Sequence, residues 1–261
     1  MSILKTIVEH KKKEIASCKQ LISLKSLKEM PQFKRLTFGF RESILHPEKT
    51  GIIAEFKRKS PSKGIINDQV RVEDVTKGYT RYGASALSVL TDFGFFGGSV
   101  DDLQKARVVN QLPILRKDFI IDPYQVYEAK ALGADAILLI AAILKKKEAE
   151  ELALLARDLG MQILMEIHNE HELEMLNESL DIVGVNNRDL KTFEVNLEHS
   201  ARLSSLIPDH FVKISESGIS TPEDIQFLKK YGYRGFLIGE NFMKTDDPAI
   251  AFANFVKTLK R

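Results

Sequence analysis

Residues Ile52 to Gly64 read Ile-Ile-Ala-Glu-Phe-Lys-Arg-Lys-Ser-Pro-Ser-Lys-Gly. The stretch begins as a short apolar strand and ends in a turn of Ser, Pro and Gly, yet Glu55 and Lys57 stand two residues apart in its strand half. Successive strand side chains point to opposite faces, so Ile53, Glu55 and Lys57 share one face that passes from apolar to charged. Charges are costly to bury unless they are paired or open to water. That face therefore ends in a strand-end salt bridge, or it delivers a carboxylate and an ammonium to the mouth of a site. The same stretch separates two fold classes. An open doubly wound sheet carries clustered glycines in the turn after its first strand, and Lys57–Gly64 offers only Gly64. A closed barrel is favoured.

Outward from this strand the chain repeats one unit. Apolar runs at Gly51–Phe56, Ala86–Thr91, Pro113–Arg116, Ala136–Ala141, Gln162–Ile167, Ile182–Val185, Phe211–Ser215 and Gly235–Gly239 alternate with amphipathic stretches. The latter include Asp101–Val109, Pro123–Leu132, Lys146–Leu159, Glu170–Leu180, Leu197–Leu206, Pro222–Tyr231 and Pro248–Leu259. Eight βα units in about 210 residues fit an α/β fold of the (β/α)8 TIM-barrel type. Before them lie helices through about Lys19, near Leu24–Met30 and near Phe40–Leu45. No Pro- or Ser-rich linker interrupts the series, so one domain is expected over 1–261, with 1–50 as a helical extension and 51–261 as the barrel.

Composition narrows the function. A chain of 261 residues with 44% hydrophobic content can bury a full core. The 38 basic and 36 acidic residues leave a formal charge of +2, far from the excess of a dedicated nucleic-acid binder. The runs Lys11–Lys13 and Lys145–Lys147 lack interleaved aromatics for stacking bases and read as solvated helix faces. Cys18 stands alone and reads as a small packing residue, compatible with a reducing compartment. The N-terminus is soon crowded with lysines, unlike a signal peptide, and no run approaches the roughly 20 apolar residues that span a bilayer. A cytoplasmic protein is expected, with a small-molecule partner and neither nucleic acid nor membrane.

In such barrels functional groups collect at the C-terminal ends of strands. Here the first run ends with Glu55 and Lys57, the third with Lys117-Asp118-Phe119, and the fifth with Glu166-Ile167-His168. The sixth leads into Asn186-Asn187-Arg188 and the seventh into Glu216-Ser217-Gly218. Any one ending reads equally well as a surface charge or a helix cap, but five of eight point to one convergent site. Small residues after the last two runs, Ser217-Gly218 and Gly239-Glu240, allow backbone N–H groups to surround a phosphate. His168 and His171 beside Glu166 lack the spacing that sets metal ligands on one face, and no serine sits in a G-x-S-x-G elbow. Neither metal nor covalent nucleophile is expected.

These residues resemble one family, the indole-3-glycerol phosphate synthases of tryptophan biosynthesis. The resemblance rests on Ile53–Gly64, on Leu90-Thr91-Asp92 with Phe96-Gly97-Gly98-Ser99, on Leu115–Phe119 and on Asp135–Ile140. It continues through Met165–His168, Gly184–Leu190, Ser215–Ile219 and Gly239-Glu240, and it includes the N-terminal helix. It implies a lyase without cofactor or metal that closes the indole ring of 1-(2-carboxyphenylamino)-1-deoxyribulose 5-phosphate, releasing carbon dioxide and water. By resemblance, Lys117 is the general acid, with a pKa lowered by its mixed-charge pocket towards the useful range. Glu166 acts in proton removal and in stabilising positive charge, with Glu55 in support, and Lys57 binds substrate and joins later proton transfers.

Asn186 and Arg188 match residues around the anthranilate portion, where an arginine fork suits a carboxylate. Ser60, Ser217, Gly218, Gly239 and Glu240 match the phosphate lining, with Glu240 standing where relatives often have serine. Glu216 and Phe119 match a polar liner and an aromatic wall. A monomer is expected, with contacts to other enzymes of the tryptophan pathway. Two rivals remain. A phosphoribosylanthranilate isomerase barrel needs a cysteine at the end of the first strand, where Glu55 and Lys57 stand, and a noncatalytic phosphate-binding barrel leaves Lys117 facing Glu166 unexplained.

Overall fold

The computed structural model describes residues 3–189 and 192–259. Eight parallel strands close into a barrel: β1 (Ile52–Phe56), β2 (Ala86–Leu90), β3 (Ile114–Lys117), β4 (Ala136–Ile140), β5 (Gln162–Ile167), β6 (Ile182–Asn186), β7 (Val212–Glu216) and β8 (Gly235–Ile238). Each pairs with its chain neighbours and β8 returns to β1, where Ile53 lies opposite both Leu237 and Ala86. Each apolar run in the sequence corresponds to one of these strands. Leu190, the last residue of the sixth motif, lies outside the described residues.

Alternation along the strands creates two cores. Ile52, Ala54 and Phe56 pack outward with residues of the helical shell, including Val75, Tyr79 and Phe252. Ile53 faces inward and joins Ala86, Leu115, Leu138, Leu164, Ile214 and Leu237 in the barrel interior. Burying each such side chain contributes roughly 1.5–3 kcal/mol. At the lower end Phe40 and Ile44, from helix Phe40–Leu45, close this inner core. Further up, the same inward positions become Glu55, Lys117, Glu166 and Glu216, so the filled barrel carries its charges only at the C-terminal mouth.

Local chemistry sets the helix ends. Pro123–Leu132 opens with a capping box between Asp122 and Gln125 and stops at Gly133, whose φ of 92° suits a glycine. No helix is anticipated from sequence at Val72–Arg81, yet Val72, Val75, Thr76 and Tyr79 give it a buried stripe. The expected helix over Glu170–Leu180 shortens to a 3-10 segment, Glu170–Met175. Its side chains compete for the backbone: Glu172 accepts from His168 N at 2.7 Å, Asn169 from His171 N at 3.0 Å, and Asn177 from Ser179 N at 2.9 Å. The turn after β1 becomes a small hairpin, with Lys59–Ser60 antiparallel to Gly64–Ile65.

Buried ion pairs fasten the N-terminal residues to both ends of the barrel. Helix α1 (Ile3–Leu21) crosses the upper end, where the fully buried Lys11 ammonium lies 3.0 Å from both Asp92 and Asp118 and 2.9 Å from Glu14. At the lower end Asp135, also fully buried, accepts from Arg35 and Arg107 at 2.7 Å and from the amides of Phe38 and Ile114 at 2.8 Å. Burial pushes the Arg107 guanidinium down to about 10 despite this partner. Removing one member of a buried pair costs about 3–5 kcal/mol because the other is left charged and alone. Asp135→Ala is therefore expected to lose about that much stability, read as a lower denaturant midpoint in equilibrium unfolding.

Candidate active site

The mouth of the barrel opens into a cavity of about 460 Å³, lined by the ends of the strands and by the first turns of α1. Every site residue expected from the sequence lies on its wall: Glu55, Lys57, Ser60, Lys117, Phe119, Glu166, Asn186, Arg188, Glu216, Ser217, Gly218, Gly239 and Glu240. Inward alternation explains the convergence. Lys117 follows Leu115 on the inner face of β3, Glu166 follows Leu164 on β5, and Glu216 follows Ile214 on β7.

Lys117 is the centre of the charge pattern. Its Nζ lies 3.2 Å from Glu166 Oε2 and in close contact with Glu216 Oε2. Glu166 Oε1 accepts from Asn186 Nδ2 at 3.2 Å and faces His168 Nε2 at the same distance. A second pair, Lys57 with Glu55 Oε1 at 2.8 Å, stands beside this cluster, and Ser88 donates to Glu55 Oε2 at 3.3 Å. On the outer face of β3, Arg116 pairs with Glu128 at 2.7 Å and Asp118 at 3.1 Å, which fixes the strand end that presents Lys117.

Glycines make room for these carboxylates. A Cβ on Gly184 of β6 would stand 2.3 Å from Glu216 Oε1, and one on Gly239 would stand 2.6 Å from Glu55 Oε1. Each carboxylate thus leans into space that any other residue on the neighbouring strand would fill. Following β7, Ser217 and Gly218 both have positive φ, 67° and 80°, which turns the backbone back towards the cavity. Across that end Arg188 lies 3.5 Å from Glu240 and donates to the Phe193 carbonyl at 3.1 Å. The opposite wall is apolar, with Ile7, Leu138 and Ile140 beside Phe119 and Phe96, whose rings stand 5.9 Å apart.

Electrostatics sorts the titratable groups. Burial opposes the Lys117 charge, but Glu216, Glu166 and Glu55 outweigh it and hold the ammonium above the usual lysine range. This corrects the expectation of a lowered Lys117 pKa: three carboxylates against one ammonium favour the charged form. Burial also opposes the Glu166 charge, yet Lys117, His168 and Asn186 hold that carboxyl well below the usual range. Burial pushes Glu216 up to about 7, with Lys117 opposing and Glu166 and Glu55 reinforcing the rise. His168 is pushed up to about 10, because its contacts with Glu166 and Glu172 exceed the penalty of burial.

His168 is a charged residue of the cavity to which sequence reading gives no role once a metal is rejected, as are Lys63, Asp118 and Lys244. The spacing of His168 two residues after Glu166, on the same strand face, was the available signal. The apolar wall from Ile3, Leu4 and Ile7 is likewise not expected from sequence, where the N-terminal helix bears on function only through the family resemblance. Among the described residues no group of three or more His, Cys, Asp or Glu side chains is arranged to hold a metal ion. Nor, among them, is any helix long and apolar enough to cross a membrane.

Fold and pocket together define a (β/α)8-barrel enzyme whose mouth is built for acid–base chemistry on an anionic small molecule. Comparison with known proteins specifies the class further. A sequence model described as indole-3-glycerol phosphate synthase matches residues 4–255. The indole-3-glycerol phosphate synthase of Bacteroides thetaiotaomicron is 47% identical over 258 residues, covering 99% of both chains. That of Bordetella pertussis is 41% identical, covering 97% of this chain and 98% of its own. A solved mutant tryptophan synthase alpha-subunit from Pyrococcus furiosus superposes with a TM-score of 0.60 at 17% identity, over 81% of this chain and 98% of that one, which bears on the fold alone. The chain belongs to the indole-3-glycerol phosphate synthase family, the carboxy-lyases of that step in tryptophan biosynthesis.

Two outcomes test the geometry. A folded-state pKa of about 10 against an ordinary 6.5 means that the charged His168 stabilises the fold fully below pH 6.5 and less as pH rises through 10. The gap in thermal midpoint between wild type and His168→Gln should therefore be widest at pH 6 and nearly closed by pH ~10.5. In Gly184→Ala the new methyl displaces the Glu216 carboxylate, and turnover should fall about 10²-fold while the circular dichroism spectrum is kept.

Proposed function

We propose that this chain closes the indole ring of 1-(2-carboxyphenylamino)-1-deoxyribulose 5-phosphate, with loss of carbon dioxide and water, and that the converging residues divide the work. The observation that carries the reading is the Lys117 ammonium, buried among carboxylates at the cavity mouth between an apolar wall and a turn of small residues. Lys117 donates a proton to the ribulose carbonyl oxygen as the aromatic carbon attacks it. A group held protonated is in the right state to act as the acid. Glu166, ionised against His168 and Asn186, stabilises the positive charge that develops on the substrate nitrogen, and Glu55 keeps Lys57 in place to bind substrate.

The apolar wall with Phe119 takes the anthranilate ring, and Asn186 and Arg188 hold its carboxylate. Arg188 must leave Glu240 to do so. Ser60, Ser217, Gly218, Gly239 and Glu240 form the phosphate end, the last three through backbone groups. The phosphorylated substrate is thereby laid across the mouth with its carbonyl at Lys117. The enzyme works in the cytoplasm as a monomer that contacts other tryptophan-pathway enzymes. Residues 1–261 form a single domain, a reading supported by the ion pairs of Lys11 and Asp135, which bind the 1–50 extension to the barrel.

Purified protein should generate the fluorescence of indole-3-glycerol phosphate from the carboxyphenylamino substrate. Lys117→Ala should lower turnover about 10²–10⁴-fold while a nonreactive substrate analogue still binds. Lys117→Arg keeps the charge but donates poorly and should do nearly the same. Arg188→Ala should instead raise KM more than it lowers turnover, because its carboxylate partner is charged before the reaction begins. Near-wild-type turnover in Lys117→Arg would reduce Lys117 to an electrostatic anchor and move the acid to Lys57.

A further inference from the structure

Asn187 stands in the chain between two residues of the cavity wall, Asn186 and Arg188, but its own side chain is buried behind that wall. Its amide is engaged at both ends. Oδ1 accepts from Ser200 N at 3.1 Å and from Ser200 Oγ at 2.7 Å. Nδ2 lies 2.8 Å from Ser215 Oγ, 3.0 Å from the Glu216 carbonyl and 3.1 Å from the Ser217 carbonyl. A backbone N–H can only donate and a carbonyl only accept, so the orientation of this amide is fixed. The Ser200 hydroxyl gives its proton to Oδ1, so Ser215 donates to Ser200 Oγ at 2.8 Å and a closed, buried ring of polar groups results. We propose that Asn187 is the positioning residue of the phosphate end: it holds the turn after β7 in the conformation that frees the Ser217 and Gly218 N–H groups for the substrate phosphate.

The backbone explains why a side chain is needed there. Along an extended strand successive carbonyls point to opposite sides, so one amide cannot reach two of them in a row. Ser217 makes the double contact possible with a φ of 67°. A residue with a Cβ stays in that left-handed region only where its surroundings hold it. Asn187 holds it from both sides of the peptide: its own N–H donates to the Glu216 carbonyl at 2.9 Å, and Nδ2 reaches that carbonyl and the next. A trans peptide sets N–H opposite C=O. The N–H groups of Ser217 and Gly218 are therefore both turned away from Asn187, neither donates to another described residue, and both residues line the cavity.

Few side chains could do this. Aspartate keeps the acceptor half towards Ser200 but faces two carbonyls with an oxygen, and alanine leaves Ser200 and both carbonyls with fewer partners in the interior. Tyr233 separates holding the turn from merely filling the core. Its hydroxyl donates to the Ser200 carbonyl at 2.8 Å, in the same buried region, without touching either carbonyl of the turn. The inference rests on the phosphate part of the proposed function and adds the residue that shapes it.

Inorganic phosphate and anthranilate probe the two ends of the cavity separately. Both are titrated by calorimetry into the full chain as wild type, Asn187→Asp, Asn187→Ala, Ser200→Ala and Tyr233→Phe, at a temperature where each is folded. The Asn187 variants should bind phosphate about 10-fold more weakly and anthranilate within about 2-fold of wild type. KM for the carboxyphenylamino substrate should rise by a similar factor while turnover changes less. Ser200→Ala, a milder change that decides the matter if the Asn187 variants do not fold, should lose about 3-fold in phosphate affinity. Tyr233→Phe should lose stability and keep its phosphate affinity. In a Ser217→Gly background the loss from Asn187→Ala should shrink to about 3-fold, because glycine takes a positive φ without being held. Unchanged phosphate affinity in Asn187→Asp or Ser200→Ala, an equal loss of both probes, an equal loss in Tyr233→Phe, or an undiminished loss beside Ser217→Gly would overturn the inference, as would a wild type that binds no phosphate. A wild type that binds phosphate yet forms no indole-3-glycerol phosphate would overturn the ring-closing reading alone.

Discussion

One ammonium held among carboxylates is the constraint around which the mouth of this barrel is built. At an effective dielectric of about 20, a pair of unit charges 4 Å apart interacts by about 4 kcal/mol. The Lys117 contacts with Glu166 and Glu216 are shorter than that. Without the ammonium, Glu55, Glu166 and Glu216 would be like charges in a half-enclosed cavity, and some would take up protons. With it, at least one stays ionised next to a protonated ammonium. The supporting structure serves that arrangement: Arg116 ties down the outer face of β3, and Lys11 ties down Asp118, the residue after Lys117.

The tie to Asp118 gives the N-terminal residues a second consequence. Ile7 and Lys11 lie one turn apart on α1. Ile7 lines the cavity, and the buried Lys11 charge holds the helix against loops that follow β2 and β3. The apolar wall of the site is thus positioned by electrostatics together with apolar burial further along α1, where Ile15 packs with Tyr124 and Ala131. A greasy contact alone would let the helix slide, whereas an ammonium paired with Asp92 and Asp118 of two different loops fixes its register.

Much of this was legible in the residues. Eight apolar runs fixed the barrel because a strand buried on both faces must be apolar throughout, and β4, Ala136–Ile140, is the clearest case. Site membership was legible because charges such as Glu55 and Lys117 interrupt those runs only at their ends. The Val72–Arg81 helix escaped because its stripe is carried by few large residues among Glu73, Asp74 and Lys77. The Glu170–Leu180 region misled because helix-forming residue types lose there to side chains that cap the backbone locally. The direction of the Lys117 shift was not legible either, since it depends on how many carboxylates reach one nitrogen and not on which residues precede it.

Roles within the site depend on a pattern of period two that the strand ends share. Glu55 is followed two residues later by Lys57, and the pair closes to 2.8 Å. Glu166 is followed by His168, and that pair closes to 3.2 Å. Residues two apart on a strand share a face, so each of these carboxylates carries its own cation from its own strand. Glu216 is followed by Gly218, which has no side chain to offer and whose space is closed, since a Cβ there would stand 2.1 Å from Val195. Glu216 must therefore draw its compensation from Lys117, a partner it shares with Glu166. Burial therefore pushes Glu216 up into the neutral range with only Lys117 opposing, whereas Glu166, equally buried, is held down by Lys117, His168 and Asn186 together. The glycine that turns the chain after β7 is, by the same omission, what leaves the adjacent carboxylate without a cation of its own strand.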